Sequence, residues 1–485
     1  MIRKKIILTI SCSHIRALAF SCIVLFCCMQ TVSAQPVTLD PTFGENGTVI
    51  IPTTGISQFE FLDFDKQDNI IAVGRDGSCL LIAKTNTDGV MDQNFGIDGL
   101  VTLCDYAYTP VFGLKITHEN KIFIMGSFRN NGYKIIFIQL NEDGSLDETF
   151  GDYGKIIASS ISPHGYYPNL ENDDFLLVEA GYAISKYNYR GEIDESFGEN
   201  GKANLTDNET FKIVPVRIKI LNDQSIIVAG YDELDPDERE LAFCKISSTG
   251  DLVTDFANNG IWKMNIFNDM WHSFELFIDI AEESNGNLVL LGGFNQGNNT
   301  YVCSFYSDGT INNRFGKNGF YYIPPSFLGS ETQKFLQHGS KYTIGLYNRI
   351  VSVKNDGTLD IDFNNTGLFI CEYYFRDMKY QRADKLILVG DSYPNYQALR
   401  MTRLNVPSGV SVKENDAFDS FVIFPNPAKD YLYFNTERKF EIIDILGKTV
   451  LISEKAVQSV NISHLKAGIY FIKFEGKQAR KFVKE

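Results

Sequence analysis

Short apolar runs separated by polar turns recur along the chain. In the first stretch they read "GTVII", "FEFLDF", "NIIAVG" and "CLLIAK", rich in Val, Ile, Leu and Phe and without helical periodicity. Such runs predict four strands per unit. A turn phrase punctuates them, written "NTDGVMDQNFGIDGLV" at 86–101 and "NEDGSLDETFGDYGKI" at 141–156. Seven copies align on Phe43, Phe95, Phe150, Phe197, Phe256, Phe315 and Phe363, a mean spacing of about 53 residues. Self-similarity at that period signals a propeller or solenoid.

Glycine follows each of these Phe residues by four positions (Gly47, Gly99, Gly154, Gly201, Gly260, Gly319, Gly367). From Phe95 onward another precedes it by six: Gly89, Gly144, Gly191, Gly250, Gly309, Gly357. Asp40, Asp92, Asp147, Asp194 and Asp360 stand three before the Phe, with Val253 and Asn312 in the other two units. Glycine permits positive φ in the turns, and Asp accepts from backbone amides just downstream. These positions read as scaffold, with the Phe filling the space between neighbouring units.

Closure is written into the two ends of the array. The last unit runs through "LRMTRLNVPSG" and lacks the turn phrase, whereas the chain opens that phrase at "LDPTFGENGTVI" with no strands before it. The N-terminal piece therefore completes the last unit. The expectation is an all-β, seven-bladed β-propeller over residues 35–409 with N-terminal strand closure. The repeated phrases resemble the delta-60 repeat family (DUF5122 type), built on "DGxLDxxFGxxG" followed by a "GxILVAG"-like strand, here "SIIVAG" and "KLILVG". The resemblance implies a fold and no activity.

Residues 1–34 have a basic start, the apolar core "ALAFSCIVLFCC" and a small-residue "VSA" end, which reads as a signal peptide. The apolar run is well under the roughly 20 residues that span a bilayer, so no membrane span is expected in the mature chain. After a linker at 410–420, residues 421–485 carry strand runs expected to form a small Ig-like β-sandwich. This tail resembles the C-terminal sorting domain read by the type IX secretion system of Bacteroidetes-type bacteria. The matching residues are Pro425, Asn426 and Pro427, then Asp430, the turn from Asp444 to Gly447, and Leu465, Gly468 and Tyr470. The resemblance implies secretion to the medium or the outer cell surface, with the type IX machinery as partner.

The formal charge is −15, and the tail is basic, so residues 35–420 alone carry about −23. A surface this acidic repels phosphate backbones, which argues against nucleic acid as partner. Five of the nine cysteines follow the signal segment, with no CxxC among them, so neither a dense disulfide framework nor a zinc cluster is indicated. Cys244 and Cys303 occupy the repeat slot held elsewhere by Ala83, Ile138, Ser185 and Val351, a core strand position.

In a four-stranded unit the connections alternate between two faces. One face collects the uniform turns; the other receives loops of variable length, where repeat scaffolds carry binding residues. Those loops hold Tyr106 and Tyr108, Tyr166 and Tyr167, Trp271 and His272, Tyr373 and Tyr374, and also Phe128, Arg129, Tyr393 and Tyr396. Aromatic rings there either present flat faces to sugar or protein or seal gaps between units. The acidic loop with Asp232, Glu233, Asp235, Asp237 and Glu238 offers oxygens of the kind Ca²⁺ takes but lacks the spacing of a calcium loop, so it reads as solvated charge and no cofactor is expected. No GxSxG, HExxH, P-loop or GxGxxG is present. The leading expectation is a non-enzymatic binding or scaffold protein contacting glycan or surface protein. The alternative is a carbohydrate-active enzyme, a glycosidase or polysaccharide lyase, with acidic residues gathered from different blades.

Overall fold

The computed structural model describes residues 36–53, 55, 57–105, 108–129, 133–158, 175–179, 182–188, 192–207, 209–234, 240–264, 275–294, 300–327, 334–391, 398–406, 423–424, 428–444, 448–474 and 480–484. The expected signal segment (1–34) and linker (410–420) lie outside them. The chain divides into two compact units between Gly409 and Val410.

In the first unit the strands form small antiparallel sheets, each wound in sequence order. The first contains Ser57–Phe64, Ile70–Asp76, Cys79–Thr85 and Leu100–Leu103; the second, Tyr108–Ile116, Ile122–Arg129, Tyr133–Leu140 and Lys155–Ala158. The third shows Phe175–Glu179, Ala183–Tyr187 and Lys202–Asn204; the residues preceding it, 159–174, lie outside those described. The fourth is Ile213–Ile220, Ile226–Asp232, Glu240–Ile246 and Ile261–Met264; the fifth, Glu275–Glu282, Leu288–Phe294, Thr300–Phe305 and Phe320–Tyr322. The sixth is Lys334–His338, Lys341–Leu346, Arg349–Lys354 and Leu368–Ile370. The last sheet joins Phe375–Arg382, Lys385–Asp391 and Ala398–Asn405 to two N-terminal strands, Thr38–Leu39 and Thr48–Pro52.

The core lies between sheets. Each repeat Phe is buried in a different apolar cluster, and each cluster spans two sheets that follow one another along the chain. Phe43 sits in the cluster joining the last sheet to the first, with Val49 and Met401 on one side and Phe59 and Ala72 on the other. The arrangement is therefore cyclic. A backbone latch accompanies it: Gly44 N–H donates to Asp88 O (2.7 Å), Gly198 to Thr249 O (2.7 Å) and Gly316 to Asp356 O (2.8 Å), one turn phrase to the next. Glycine is required beside this latch. A Cβ on Gly357, at φ +77°, would stand 2.4 Å from Gly316 N.

The turn phrase also covers the outer edge of its sheet. Thr48, Leu100, Lys155, Lys202, Ile261 and Phe320 open the outermost strands, and each bridges back to a turn residue three positions earlier. The outer edges are thus partly closed to strand addition.

The N-terminal strands pair along Ala398–Asn405, with Thr48 opposite Thr402 and Leu39 opposite Leu404. Buried Arg403 pins them. Its Nε donates to Asp40 Oδ2 (2.8 Å), Nη2 donates to Thr42 Oγ1 (3.0 Å), Nη1 donates to the Thr87 carbonyl, and its guanidinium lies 4.8 Å from the Phe43 ring centre. Lys385 Nζ makes a second ion pair with Asp40 (3.0 Å). Burial pushes the Asp40 carboxyl up, but the Thr42 bonds, Lys385 and Arg403 outweigh it and hold it well below the usual carboxylate range.

Cys79 and Cys104 form a disulfide, a pairing the sequence reading did not foresee. The register explains it: Leu80 faces Leu103, which puts the next residue out on each strand side by side. Cys244, Cys303 and Cys371 are buried free thiols.

The second unit contains Ile423–Phe424, Tyr431–Asp444, Thr449–Asn461, Gly468–Phe474 and Arg480–Lys484, all antiparallel, around Leu432, Phe440, Ile442, Ile472 and Phe482. The long strand Tyr431–Asp444 pairs with three others and breaks register near Arg438.

Candidate functional site

Antiparallel order places the variable loops of successive sheets on one face. Of the residues expected to bind there, Tyr106, Tyr166, Tyr167, Trp271, His272, Tyr393 and Tyr396 lie outside the described residues. Tyr108 opens the inner strand of the second sheet, opposite Phe128. Phe128 is buried in the cluster between the first two sheets, while Arg129, the last residue of its strand, is exposed.

Tyr373 departs from the expectation. It is buried in the cluster between the sixth and last sheets, where burial pushes its phenol far up, so it offers no open face. The doublet splits at the bend that precedes the strand Phe375–Arg382. Tyr374 is the half-buried partner, its ring 3.9 Å from that of Tyr347.

Arginines near these tyrosines make an arginine–tyrosine patch. Arg376 lies 5.7 Å from the Tyr347 ring and Arg400 lies 5.7 Å from the Tyr373 ring. Arg349 stands two residues after Tyr347, at the start of its strand. The backbone beneath is stitched: Cys371 N–H donates to Asn348 O (2.7 Å), Phe375 N–H to Tyr347 O (3.0 Å) and Asp391 N–H to Tyr374 O (3.2 Å). Gly390 is needed there, since a Cβ would meet Tyr374 O at 2.1 Å. All three arginines are half-buried near the loop ends of strands in the sixth and last sheets, and a guanidinium beside half-buried phenols, as at Arg376, suits hydroxyl, carboxylate or carbonyl partners. Positions 349, 376 and 400 have no sequence spacing that announces such a patch.

Carboxylates gather on the innermost strands, the place where an enzyme on this scaffold would carry its acids. Among the described residues they are occupied by the fold. Asp63 Oδ2 accepts from Ile116 N–H (2.8 Å) and the carboxylate pairs with Lys379. Asp377 accepts from Leu62 N–H (2.9 Å) and pairs with Lys334 (3.2 Å); Asp279 accepts from Phe335 N–H (3.4 Å); Glu60 accepts from Val111 N–H (2.6 Å) and Arg75 Nε (2.9 Å). These bonds satisfy the open N–H edge of the neighbouring inner strand. Burial pushes Asp63 up, but Lys379 and Lys115 pull it further down, and Asp377 leads in holding Lys334 charged. The described inner-strand carboxylates act as struts.

The acidic loop is also partly structural. Asp232 is buried, accepts from Lys212 and Leu234 N–H (2.9 and 3.0 Å) and pairs with Lys263, so it is not solvated charge. Glu233 accepts from Tyr182 Oη (2.9 Å); residues 235–239 lie outside the described residues. Among the described residues no group of three or more His, Cys, Asp or Glu could hold a metal ion.

In the tail, Leu465 packs on the core and its N–H donates to Ile462 O (3.0 Å), Gly468 opens a strand, and Tyr470 stacks on Phe482 at 5.7 Å. The Asp444 turn closes through Lys448 N–H to Asp444 Oδ1 (2.9 Å). Pro425, Asn426, Pro427 and Gly447 lie outside the described residues. Residues 422–485 match the family of secretion system C-terminal sorting domains. The tail is a sorting domain. It indicates export by the type IX system to the cell surface or the extracellular space.

Residues 120–150 match a β-propeller domain of unknown function, DUF5122, in agreement with the small antiparallel sheets of the first unit. No curated protein matches the chain. Among solved structures it is similar to a catalytically inactive virginiamycin B lyase from Staphylococcus aureus (11% identity, 74% of this chain and 99% of that one, TM-score 0.46). It is also similar to PorZ, a surface component of the type-IX secretion system of Porphyromonas gingivalis (9% identity, 89% and 70%, TM-score 0.31), and to the Neurospora crassa Pan2 WD40 domain (9%, 73% and 91%, TM-score 0.41). Among the described residues no helix is long and apolar enough to cross a membrane.

Proposed function

We propose that this chain is an exported binding protein: a seven-bladed propeller over residues 35–409 whose variable-loop face contacts glycan or protein outside the cell. In this reading residues 1–34 are a removable signal, 410–420 a linker, and 421–485 an Ig-like sandwich that engages the type IX machinery. The arginine–tyrosine patch is the observation that carries it. Half-buried Arg and Tyr on a stitched backbone form a contact surface with little rotamer entropy left to lose. The inner-strand carboxylates, already committed as struts, favour binding over hydrolysis.

The test uses the purified protein on a glycan and surface-protein array. Replacing Arg129, Tyr374 and Arg376 together by Ala is expected to abolish retention of the ligand found, with the protein still melting in one cooperative transition. Undiminished retention rejects this face. Product analysis of polysaccharides incubated with the protein addresses the enzymatic alternative, since a binder leaves chain lengths unaltered.

A further inference from the structure

A groove of about 820 Å³ runs along the outer strand Ile261–Met264 of the fourth sheet, on the rim and apart from the variable-loop patch. Its apolar floor is drawn from both sides of that strand: Phe211, Leu252 and Ile261 pack toward the third sheet, Trp262 and Ile311 toward the fifth. Trp262 is half-buried, its indole fixed by stacking on Phe243 (5.1 Å between ring centres) and by the edge of Phe305 (4.9 Å). The rim is polar. Thr254, Asn258 and Asn259 are exposed there, and among the described residues their side chains make no hydrogen bond.

The two charged lining groups are already used. Asp207 accepts from the N–H groups of Glu209, Thr210 and Phe211 (2.9, 2.7 and 3.1 Å). Lys263 pairs with Asp232 and donates to Thr210 O (2.8 Å). The groups left to a ligand are therefore neutral: two amides and a hydroxyl beside the half-buried indole.

A peptide adding itself as an extra strand is poorly served here. Ile261 exchanges both of its outward backbone bonds with Asn258 (3.2 Å each). Alternation along the strand then leaves Lys263 alone with outward N–H and C=O groups, whereas strand addition draws its affinity from a continuous ladder. A sugar chain matches better. Its rings have apolar C–H faces for the floor and hydroxyls that both give to and accept from amides, and it needs no ionic partner.

We propose that this rim groove is a second binding site, which takes a short run of an uncharged oligosaccharide over Trp262, with Thr254, Asn258 and Asn259 contacting its hydroxyls. The site lies apart from the arginine–tyrosine patch, and either can fail without the other.

The chain contains two tryptophans, so Trp271→Phe leaves Trp262 as the one fluorescent indole. That variant is titrated with cellohexaose, maltohexaose and mannohexaose, and in parallel with an oligogalacturonate and an alternating Val/Thr octapeptide. The expected result is a saturable emission change with at least one neutral hexaose, weakened at least tenfold by Thr254→Arg, which fills the groove from an exposed position, and by Asn258→Ala. Melting of both variants should stay at the parent value. No saturable change with any neutral hexaose overturns the proposal. So does saturation by the acidic sugar or the peptide alone, or neutral-sugar binding that Thr254→Arg leaves intact.

Discussion

Replacing Arg403 by Met tests how the first unit is closed. Arg403 is 6% exposed and its partner Asp40 2%. Removing one member of a buried, hydrogen-bonded ion pair costs about 3–5 kcal/mol, mostly because the other charge is left behind. Here Lys385 stays 3.0 Å from Asp40 and retains part of the compensation, so the lower end applies, about 3 kcal/mol. At about 2.1 cal/mol/K per residue, roughly 370 residues unfold with an entropy near 0.8 kcal/mol/K, so Tm should fall by about 4 °C. Hydrogen exchange should localise the effect: the amides of Thr48–Pro52 lose protection before those of the fourth and fifth sheets. The double variant Arg403→Met with Asp40→Asn should cost less than the sum of the two single changes, since no uncompensated charge remains. An unaltered Tm, or exchange rising evenly over all sheets, would refute the reasoning.

Other perturbations probe the same scaffold. Reducing Cys79–Cys104, which closes a loop with a sequence separation of 25 residues, should lower stability by about 3 kcal/mol in urea titrations; no change would mean the bridge does not constrain the unfolded chain. Cys244 and Cys371, whose thiols burial pushes up to about 12, and Cys303, pushed higher still, should resist an aromatic disulfide reagent in the native state and react together on unfolding. The carboxyls of Asp40, Asp63, Asp147 and Asp194 are held below their ordinary values, so their stabilisation is complete above the unfolded carboxylate range and is lost as pH falls from there through their lowered folded values. Urea midpoints should therefore fall from about pH 5 downward and go on falling below about pH 3, and a flat profile would contradict the assignment. Gly357→Ala combines a positive φ with the 2.4 Å approach to Gly316 N and should cost at least about 2 kcal/mol; a silent substitution would remove the latch from the account.

The repeat was legible because its chemistry is local. Phe, Asp and Gly at fixed offsets build one turn, and the same offsets place each Phe between sheets, as the Phe256 and Phe315 clusters show. Closure was legible for a related reason: a unit lacking its turn phrase at one end complements a lone phrase at the other. What spacing cannot convey is register and side-chain direction. Cys79 and Cys104 become neighbours only once Leu80 is known to face Leu103. Tyr373 and Tyr374 are equivalent in sequence, yet one turns into the core and the other toward the Tyr347 ring. Arg349, Arg376 and Arg400 come from three strands of two sheets, and Trp262 lines a groove whose walls derive from three separate segments. Composition could not assemble those.

A designed crosslink tests the circular arrangement most directly. Thr48 and Thr402 face each other across the last sheet with hydroxyl oxygens 3.2 Å apart, although 354 positions separate them in the chain. Thr48→Cys with Thr402→Cys should oxidise within one molecule, giving a monomer of faster non-reducing mobility and one linked peptide pair by mass spectrometry. Two free thiols after oxidation, or crosslinks only between molecules, would contradict a first unit that joins its own ends.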